Sequence, residues 1–222
     1  MMNHVPSTYD GVTAGLAVLV LLSEFAMLRA PLLRSQVRLY AFQSLVVSAL
    51  AVFVASSRHI DELYVLAALS IVLKVVIVPR VILHLLRDAD NDLTGSAVMG
   101  VASAILIAIA VAAFGFFAVG SLHVSSTALP SSALAISGAV ILVAFVLIIL
   151  RADVVSQAIG FFSLENGVSV ASLVVASGLP FIVDVAFLFD LLVAVVVFGV
   201  IIQVHHRRHD TLSTDDFDRL RG

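Results

Sequence analysis

The sequence predicts an all-α integral membrane protein, a bundle of about seven transmembrane helices. Of the 222 residues, 61% are hydrophobic, and the few charges lie in short clusters between long apolar runs. A span needs about 20 mostly apolar residues, because a helix satisfies its own backbone hydrogen bonds where no water is present. The connections are short, so we expect a single membrane domain over residues 1–222.

The N-terminal part, residues 1–120, contains four of the predicted helices. The apolar runs that define them cover 12–28, 39–55, 63–86 and 97–119. Charged segments separate the runs: a basic stretch follows the first, and two arginines mark the end of the third. Boundaries read from such runs carry an error of about three residues.

The C-terminal part, residues 131–222, contains the other three predicted helices. Their apolar runs cover 133–150, 154–177 and 181–204. Arg151 separates the fifth from the sixth, and a basic tail follows the seventh. Each run has the length and hydropathy of a membrane span.

The basic residues orient this topology. Of twelve lysines and arginines, ten fall on one side if the chain crosses seven times. They are Arg29, Arg34, Arg38, Arg80, Arg87, Arg151, Arg207, Arg208, Arg219 and Arg221. Basic residues that flank spans stay on the cytoplasmic side, so we expect the N-terminus outside and the C-terminus in the cytoplasm.

Composition and motifs predict no bound cofactor and no metal. The chain has no cysteine, which excludes disulfides, thiolate metal sites and iron–sulfur ligation. The acidic segment 88–95 lacks the glycine and the bidentate acid of a calcium loop, and the segment 205–210, "HHRRHD", is typical of a membrane-surface anchor. Neither a nucleic-acid-binding face nor an independent active site is indicated, so we expect no enzyme activity from this chain alone.

Three ionisable residues are predicted near the bilayer midplane. Lys74 lies about 18 Å from the ends of its helix, and Glu165 and Asp190 are similarly central in theirs. Each costs roughly 2.5 to 3.5 kcal/mol to insert, so these side chains should face the bundle or a partner. A lone buried acid keeps its proton, whereas one beside Lys74 can release it. Lys74, Glu165 and Asp190 therefore predict a proton relay. The alternative is that these residues form static hydrogen bonds between helices.

The sixth predicted helix has two distinct stripes. The polar stripe consists of Glu165, Ser169 and Ser172. The stripe of small residues, suited to close helix packing, consists of Gly160, Ser163, Gly167 and Ala171. Asn166 adds an amide next to Glu165, so we expect Asn166, Ser169 and Ser172 to support the relay.

Two further groups have two interpretations each. Glu24 lies about one turn from the cytoplasmic end of the first helix, where it either pairs with Arg29 or opens the proton path. His84, at the inner end of the third helix, either anchors that end at the interface or supports the path. Pro79 is expected to kink this helix just beyond Lys74 and to free a carbonyl that can hold water.

Short motifs in the C-terminal part, 131–222, resemble subunit K of respiratory complex I. They are "IG" at 159–160 with Asn166 following, "QVHHRR" at 203–208 and "RLRG" at 219–222. The chain as a whole resembles component E of hydrogenase-4-type complexes. These complexes couple a hydrogenase or related redox arm to membrane subunits shared with complex I and with cation/proton antiporters.

The resemblance implies a non-catalytic, multi-pass subunit in the cell membrane of a prokaryote. Its partners would be antiporter-like and quinone- or ion-module-like membrane subunits, a peripheral redox arm and the lipid bilayer. Subunit K carries two intramembrane glutamates of a lateral proton path. In this sequence Phe162 and Val193 occupy those positions, with Glu165 one turn later and Asp190 one turn earlier.

The leading hypothesis is therefore lateral proton translocation coupled to redox chemistry in partner subunits. Its path consists of Glu165, Asp190, Lys74 and Glu24, with support from Asn166, Ser169, Ser172 and His84. The alternative is a scaffold that links the antiporter-like and redox arms without carrying protons. An independent small transporter would need paired broken helices in inverted repeats, and Pro79 is the one intrahelical proline.

Overall fold

The computed structural model describes residues 8–86, 99–121 and 131–175, together with residue 199. Within these residues the chain forms helices and turns and no β-strand, which confirms the all-α prediction for this part. The elements are α1 (Thr8–Arg29), α2 (Leu33–Arg58), α3 (Asp61–Ser70), a π-helical segment (Ile71–Ile77), α4 (Val78–Leu85), α5 (Val101–Gly120), α6 (Ser131–Leu150) and α7 (Val154–Val175). The elements α3, π-helical segment and α4 are continuous, and we call them together the third helix.

Five helical stretches in the described part are long and apolar enough to cross a membrane, by length and composition. They are Thr8–Arg29, Leu33–Ser57, Asp61–His84, Val101–Gly120 and Ser132–Leu150. They coincide with the first five predicted spans, and the protein is an all-α membrane protein. The sixth predicted span forms α7, whereas the seventh, 181–204, lies outside the described residues.

Two helices begin earlier than predicted. α1 begins at Thr8 instead of residue 12, and α2 begins at Leu33 instead of residue 39. A hydropathy window excludes the polar start of α2, but arginine and glutamine are good helix formers, so the helix extends through them. Gln36, in this first turn, is fully buried. The start of α2 therefore belongs to the interior of the bundle.

Helix α6 is central and α5 is peripheral. In α6, 72% of the residues in the apolar window are buried, against 22% in α5. α6 packs against α5, α7 and α1, while α2 packs against α1, α7 and the third helix. α1, α2, α7 and the third helix therefore enclose the volume in which the buried polar side chains lie.

Glycines allow α6 to approach its two neighbours closely. A Cβ atom on Gly115 of α5 would lie 2.9 Å from the backbone oxygen of Gly138 and 2.9 Å from Leu142 Cδ1. On α7, a Cβ at Gly160 or Gly167 would meet isoleucine side chains of α6 at 2.7 and 2.8 Å. The predicted stripe of small residues thus packs on α6 at these two glycines.

We expect Gly115→Ala to destabilise the fold by about 1–3 kcal/mol, because the added methyl group overlaps backbone that cannot move aside. The matched control is Gly15→Ala in α1, where a Cβ meets nothing within 4 Å. Alanine is the better helix former by about 1 kcal/mol, so this control should be neutral or slightly stabilising. Melting temperatures of both variants in detergent check the prediction, and equal shifts would contradict it.

Candidate functional site

Buried polar side chains from α1, α2, the third helix and α7 meet in one group, which we call the polar cluster. Its members are Glu24, Gln43, Ser44, Lys74, Ser163, Glu165 and Asn166. All are buried except the Glu165 side chain, which is 13% exposed. A fully buried polar group is stable only when hydrogen bonds or opposite charges compensate for the lost water. The contacts within the cluster supply that compensation.

An ion pair lies at the centre of the polar cluster. Lys74 Nζ is 2.7 Å from Glu165 Oε1, and it donates a second contact of 3.4 Å to Asn166 Oδ1. Lys74 and Asn166 are 92 positions apart in the sequence, so the fold itself creates this site. In a medium of low dielectric constant the attraction between these charges is much stronger than in water.

Two carboxamides continue the cluster from the ion pair to α1. Asn166 Nδ2 donates to Gln43 Oε1 at 3.0 Å and to Ser44 Oγ at 2.9 Å. Gln43 Nε2 in turn donates to Glu24 Oε2 at 2.8 Å and to the carbonyl oxygen of Val20 at 3.2 Å. Unbroken polar contacts therefore lead from the carboxylate of α7, through the lysine and the two amides, to the carboxyl group of α1.

Ser163 adds a hydroxyl group to the α1 side of the cluster. Its Oγ contacts Glu24 Oε2 and lies 2.8 Å from Gln43 Oε1. A hydroxyl has one proton, so it donates to one of these oxygens at a time. Ser163 belongs to the predicted stripe of small packing residues, and the structure adds that its hydroxyl faces polar atoms of α1 and α2.

The π-helical segment positions Lys74. Pro79 has no N–H group and its ring crowds the carbonyl four residues earlier, so the regular α-helical pattern cannot pass through it. The helix widens instead, and the N–H of Val78 donates to the carbonyl of Leu73, five residues back. Single π-helical turns are frequent at functional sites. The proline thus produces a local π-helix that turns the lysine into the bundle.

Helix α2 has a polar face that the sequence patterns above do not predict. Its side chains, all buried, are Gln36, Tyr40, Gln43, Ser44 and Ser48. Steps of three or four residues place them on one side of the helix. Polar residues at this helical spacing within an apolar run are the sequence pattern that could have predicted Gln43 and Ser44 as members of a buried polar site. At Ser48, the end of this face farthest from Gln36, the polar contacts continue to α3, because Ser48 Oγ donates to Ser70 Oγ at 3.2 Å.

A second polar group lies at the α6–α7 turn, and we call it the turn layer. Ser156 Oγ donates to Gln36 Oε1 at 2.7 Å, and Gln36 Nε2 donates to the carbonyl of Met27 at 3.0 Å. The backbone N–H of Ser156 donates to Asp153 Oδ1 at 2.6 Å, which caps the N-terminus of α7. The turn layer joins the ends of α1, α2 and α7.

Hydrogen bonds from Arg151 join the α6–α7 turn to the C-terminal end of α1. Its Nη2 donates to the carbonyl oxygens of Leu28 at 2.6 Å and Ala30 at 3.3 Å, which satisfies acceptors left free at a helix C-terminus. Burial lowers the pKa of the Arg151 guanidinium, and the charge of Asp153 raises it. The sequence predicts Arg151 to be one of the basic residues that flank the spans, but in the structure only 7% of it is exposed.

The structure brings three of the four predicted path residues into one cluster. Lys74 and Glu165 form its ion pair, and Glu24 lies at its other end. Glu24 contacts Gln43 and Ser163, so its environment differs from the local pair with Arg29 that was one alternative; Arg29 is exposed. The fourth predicted residue, Asp190, lies outside the described residues.

The predicted supporting residues separate in the structure. Asn166 is central to the cluster, whereas Ser169 Oγ donates to the backbone carbonyl of Glu165 within its own helix, at 2.9 Å. Ser172 is half-buried, and its hydroxyl belongs to neither polar group described above. His84 is exposed near the end of α4, about ten residues beyond Lys74. Of the predicted polar stripe of α7, Glu165 therefore belongs to the polar cluster, and the hydroxyls of Ser169 and Ser172 do not.

The cluster is suited to holding protons, and the described residues do not form a metal site. In the described part of the chain, no three His, Cys, Asp or Glu side chains come together as possible ligands. The cluster contains one lysine and two carboxyl groups. It is electrically neutral when the lysine is charged, one carboxyl is ionised and the other is protonated, and neutrality is strongly favoured in a buried site.

Comparisons with known proteins indicate a distant relationship over nearly the whole chain. Hydrogenase-4 component E of Escherichia coli (strain K12) is 23% identical over 211 residues, which cover 95% of this chain and 98% of that protein. The same values hold for hydrogenase-4 component E of Shigella flexneri. An uncharacterized protein of Mycobacterium tuberculosis, Rv0085, is 36% identical over 83 residues, 37% of this chain and 36% of that protein. No family model and no solved structure matches.

Proposed function

We propose that this chain is a non-catalytic membrane subunit of a hydrogenase-4-like, complex-I-like oxidoreductase, where it contributes to lateral proton translocation. Its relationship to hydrogenase-4 component E and its five apolar helices support this role. In the proposed arrangement, seven spans cross a prokaryotic cell membrane with the C-terminus in the cytoplasm. Antiporter-like and quinone- or ion-module-like subunits contact it, and a peripheral redox arm supplies the free energy.

The observation that carries the proposal is the unbroken line of polar contacts between two carboxyl groups, that of Glu24, which is fully buried, and that of Glu165, which is 13% exposed. It leads from Glu165 of α7 to Lys74 of the third helix, back to Asn166 of α7, and on through Gln43 of α2 to Glu24 of α1. A merely structural hydrogen bond between two helices needs no second carboxyl group and no lysine. A path for protons needs groups that change protonation state, and Glu165, Lys74 and Glu24 are such groups.

The proton that makes the cluster neutral is the mobile one. When it resides on Glu24, Glu165 is ionised and pairs with Lys74 at 2.7 Å. When it moves to Glu165, the ion pair weakens, and the lysine is left to neutralise the ionised Glu24 from a greater distance. A redox event in a partner subunit that shifts Lys74 would therefore drive the proton from one carboxyl to the other.

The two amides of the path orient groups but do not carry the proton. An amide N–H is not acidic at biological pH. Gln43 therefore acts as a fixed donor to Glu24, and Asn166 as a fixed acceptor for the Lys74 ammonium. Hydroxyl groups and buried water exchange protons readily, which makes Ser163, in contact with Glu24, the side chain suited to the transfer step. Asp190 would continue the path beyond the cluster, in the proposed subunit-K-like part at 131–222 that follows the four N-terminal helices.

A scaffold role is the second candidate, and the same contacts favour it in one respect. They tie four helices together, as interhelical hydrogen bonds do in other membrane bundles. A scaffold requires only that these bonds persist. It therefore predicts that neutral isosteric substitutions affect assembly of the complex, whereas the relay predicts normal assembly with lost proton coupling.

The test is Glu165→Gln and, separately, Glu24→Gln in the assembled complex. Each substitution keeps the shape and a hydrogen-bonding amide but removes the titratable group, so we expect redox-driven proton uptake to fall by at least about tenfold. Subunit content, measured on the same purified complex, should be unchanged. The matched control is Glu62→Gln at the exposed start of α3, which should leave uptake intact. Normal uptake in both test variants would exclude the relay.

A further inference from the structure

Tyr40 is a buried titratable residue that the path described above does not use. It is fully buried on the polar face of α2, and its ring packs against Phe162 with centroids 5.7 Å apart. Ser44 lies one turn further along the same face of α2, yet the Tyr40 hydroxyl makes no hydrogen bond within the described residues. Phenylalanine would fill the same space without that unsatisfied group, so the hydroxyl calls for an explanation.

The position of Tyr40 along the bundle follows from two hydrogen bonds between α1 and α2. Gln36 binds the carbonyl of Met27, and Gln43 binds that of Val20. The two helices are therefore antiparallel neighbours in a defined register. Tyr40 lies midway between the two glutamines of α2, hence between the turn layer and the polar cluster.

These two polar groups are too far apart to exchange a proton directly. Even Glu24 of the cluster is three residues from Met27, or about 4.5 Å along α1, and Gln36 and Gln43 are seven residues apart, or about 10.5 Å along α2. A hydrogen bond joins atoms only about 3 Å apart. Ser156 and Ser163 have the same separation on α7, with mainly apolar residues between them. Tyr40 supplies the one buried polar side chain between residues 36 and 43 of α2.

A second orphaned oxygen lies at the same level. Glu24 is about level with Tyr40, since it lies between Met27 and Val20 on α1, and its Oε1 is buried without a hydrogen-bond partner in the described part of the chain. Buried polar atoms that lack a protein partner are commonly hydrogen-bonded to internal water. The Tyr40 hydroxyl and Glu24 Oε1 thus mark a level at which the bundle interior is suited to hydration.

We propose that the Tyr40 hydroxyl is a further proton-relay residue, which connects the polar cluster to the turn layer and so gives the cluster its proton access from the α6–α7 turn. The hydroxyl passes its proton through Ser44 or water to the ionised carboxylate of the cluster. At the same time its oxygen takes a proton from a hydronium ion that reaches the turn layer from solvent, and the hydronium returns to neutral water. One proton moves inward, and the phenol is unchanged. The inference rests on the proposed function, because it describes how the relay is supplied.

The experiment measures proton access separately from redox coupling. The full chain is placed in lipid nanodiscs and transferred to D₂O, and the deuteration rate of its buried carboxylic acid is followed by the infrared carbonyl stretch. Glu24→Gln and Glu165→Gln assign that band. We expect Tyr40→Phe, which deletes only the hydroxyl, to slow deuteration by about tenfold while the melting temperature stays unchanged.

Ser48→Ala is the matched control, because it deletes a buried hydroxyl from the same face of α2 on the other side of the cluster. Its deuteration rate should equal that of the wild type. Ser156→Ala, in the turn layer, should slow deuteration as Tyr40→Phe does and provides a second variant if the first fails to fold. The inference would be overturned if Tyr40→Phe and Ser156→Ala both exchanged at the wild-type rate, or if Ser48→Ala alone slowed deuteration. It would also be overturned if the wild-type protein showed no carboxylic acid band. Redox-driven proton uptake by the assembled complex that carries Glu165→Gln tests the proposed function independently.

Discussion

Lys74→Met is expected to lower the free energy of unfolding by about 3–5 kcal/mol and to abolish redox-driven proton uptake. The substitution keeps most of the side-chain volume but removes the charge that compensates Glu165 at 2.7 Å. Breaking one side of a buried ion pair leaves the other charge without its counterion, which is the costly case. Asn166 also loses the ammonium donor to its Oδ1. Melting temperature and proton uptake of the same purified complex measure the two effects.

The double variant Lys74→Met, Glu165→Leu separates the relay from the scaffold. Replacing both members of a buried ion pair by apolar residues is often neutral or stabilising, so most of the lost stability should return. Proton uptake should not return, because no ionisable group remains at this end of the cluster. A scaffold predicts the opposite for uptake, since it needs only a stable bundle. Uptake at the wild-type rate in the double variant would therefore rule out the relay.

The single variant Glu165→Leu completes this thermodynamic cycle. It leaves Lys74 buried without its counterion, so its stability should fall by an amount similar to that of Lys74→Met. The coupling energy then follows from the difference between the double variant and the sum of the two single variants. A coupling near zero would mean that the two charges are separately solvated, and the 2.7 Å contact would then carry no function.

The sequence predicts which helices carry buried charges, but it does not predict which charges meet. Hydropathy alone reveals that Lys74 and Glu165 lie inside apolar helices, because charge is so unfavourable there. A helical wheel gives the face of each residue within one helix but not the rotation of one helix against another. The π-helical segment adds to this difficulty, since it changes the number of residues per turn around Lys74.

The uncharged members of the cluster were harder to predict than the charged ones. Gln43 and Ser44 lie in an apolar run whose mean hydropathy remains high, so a window average conceals them. Ser163 was assigned to helix packing because its neighbours at helical spacing, Gly160 and Gly167, do pack on α6. Serine satisfies both patterns: it is small enough for a close approach and polar enough for a hydrogen-bond network. Only the position of Glu24 on another helix distinguishes the two roles.

Arg151 illustrates a third limit of sequence reasoning. A basic residue at the end of an apolar run is most simply interpreted as a membrane flank exposed to the cytoplasm. Its actual partners, the carbonyls of Leu28 and Ala30, are more than 120 positions earlier in the chain. Backbone carbonyls carry no signature in the sequence, so no pattern of side chains could have revealed this contact.

Arg151→Ala is accordingly expected to lower the free energy of unfolding by about 3–5 kcal/mol, the second large effect that we predict. The substitution leaves two buried carbonyls at the end of α1 without this donor and removes the cation beside Asp153. Arg29→Ala is the matched control, since that arginine is exposed at the same helix end, and it should change stability by no more than about 0.5 kcal/mol.

Arg151→Lys distinguishes geometry from charge at this site. Lysine keeps the positive charge but presents a compact ammonium in place of the planar fork of a guanidinium, so it should recover only part of the stability. Melting temperatures of the three variants in detergent give the order, with Arg29→Ala highest, Arg151→Lys intermediate and Arg151→Ala lowest. If Arg151→Lys melted with the wild type, charge alone would stabilise the turn. If Arg151→Ala had the same melting temperature as Arg29→Ala, the hydrogen bonds from Arg151 to the end of α1 would contribute nothing to stability.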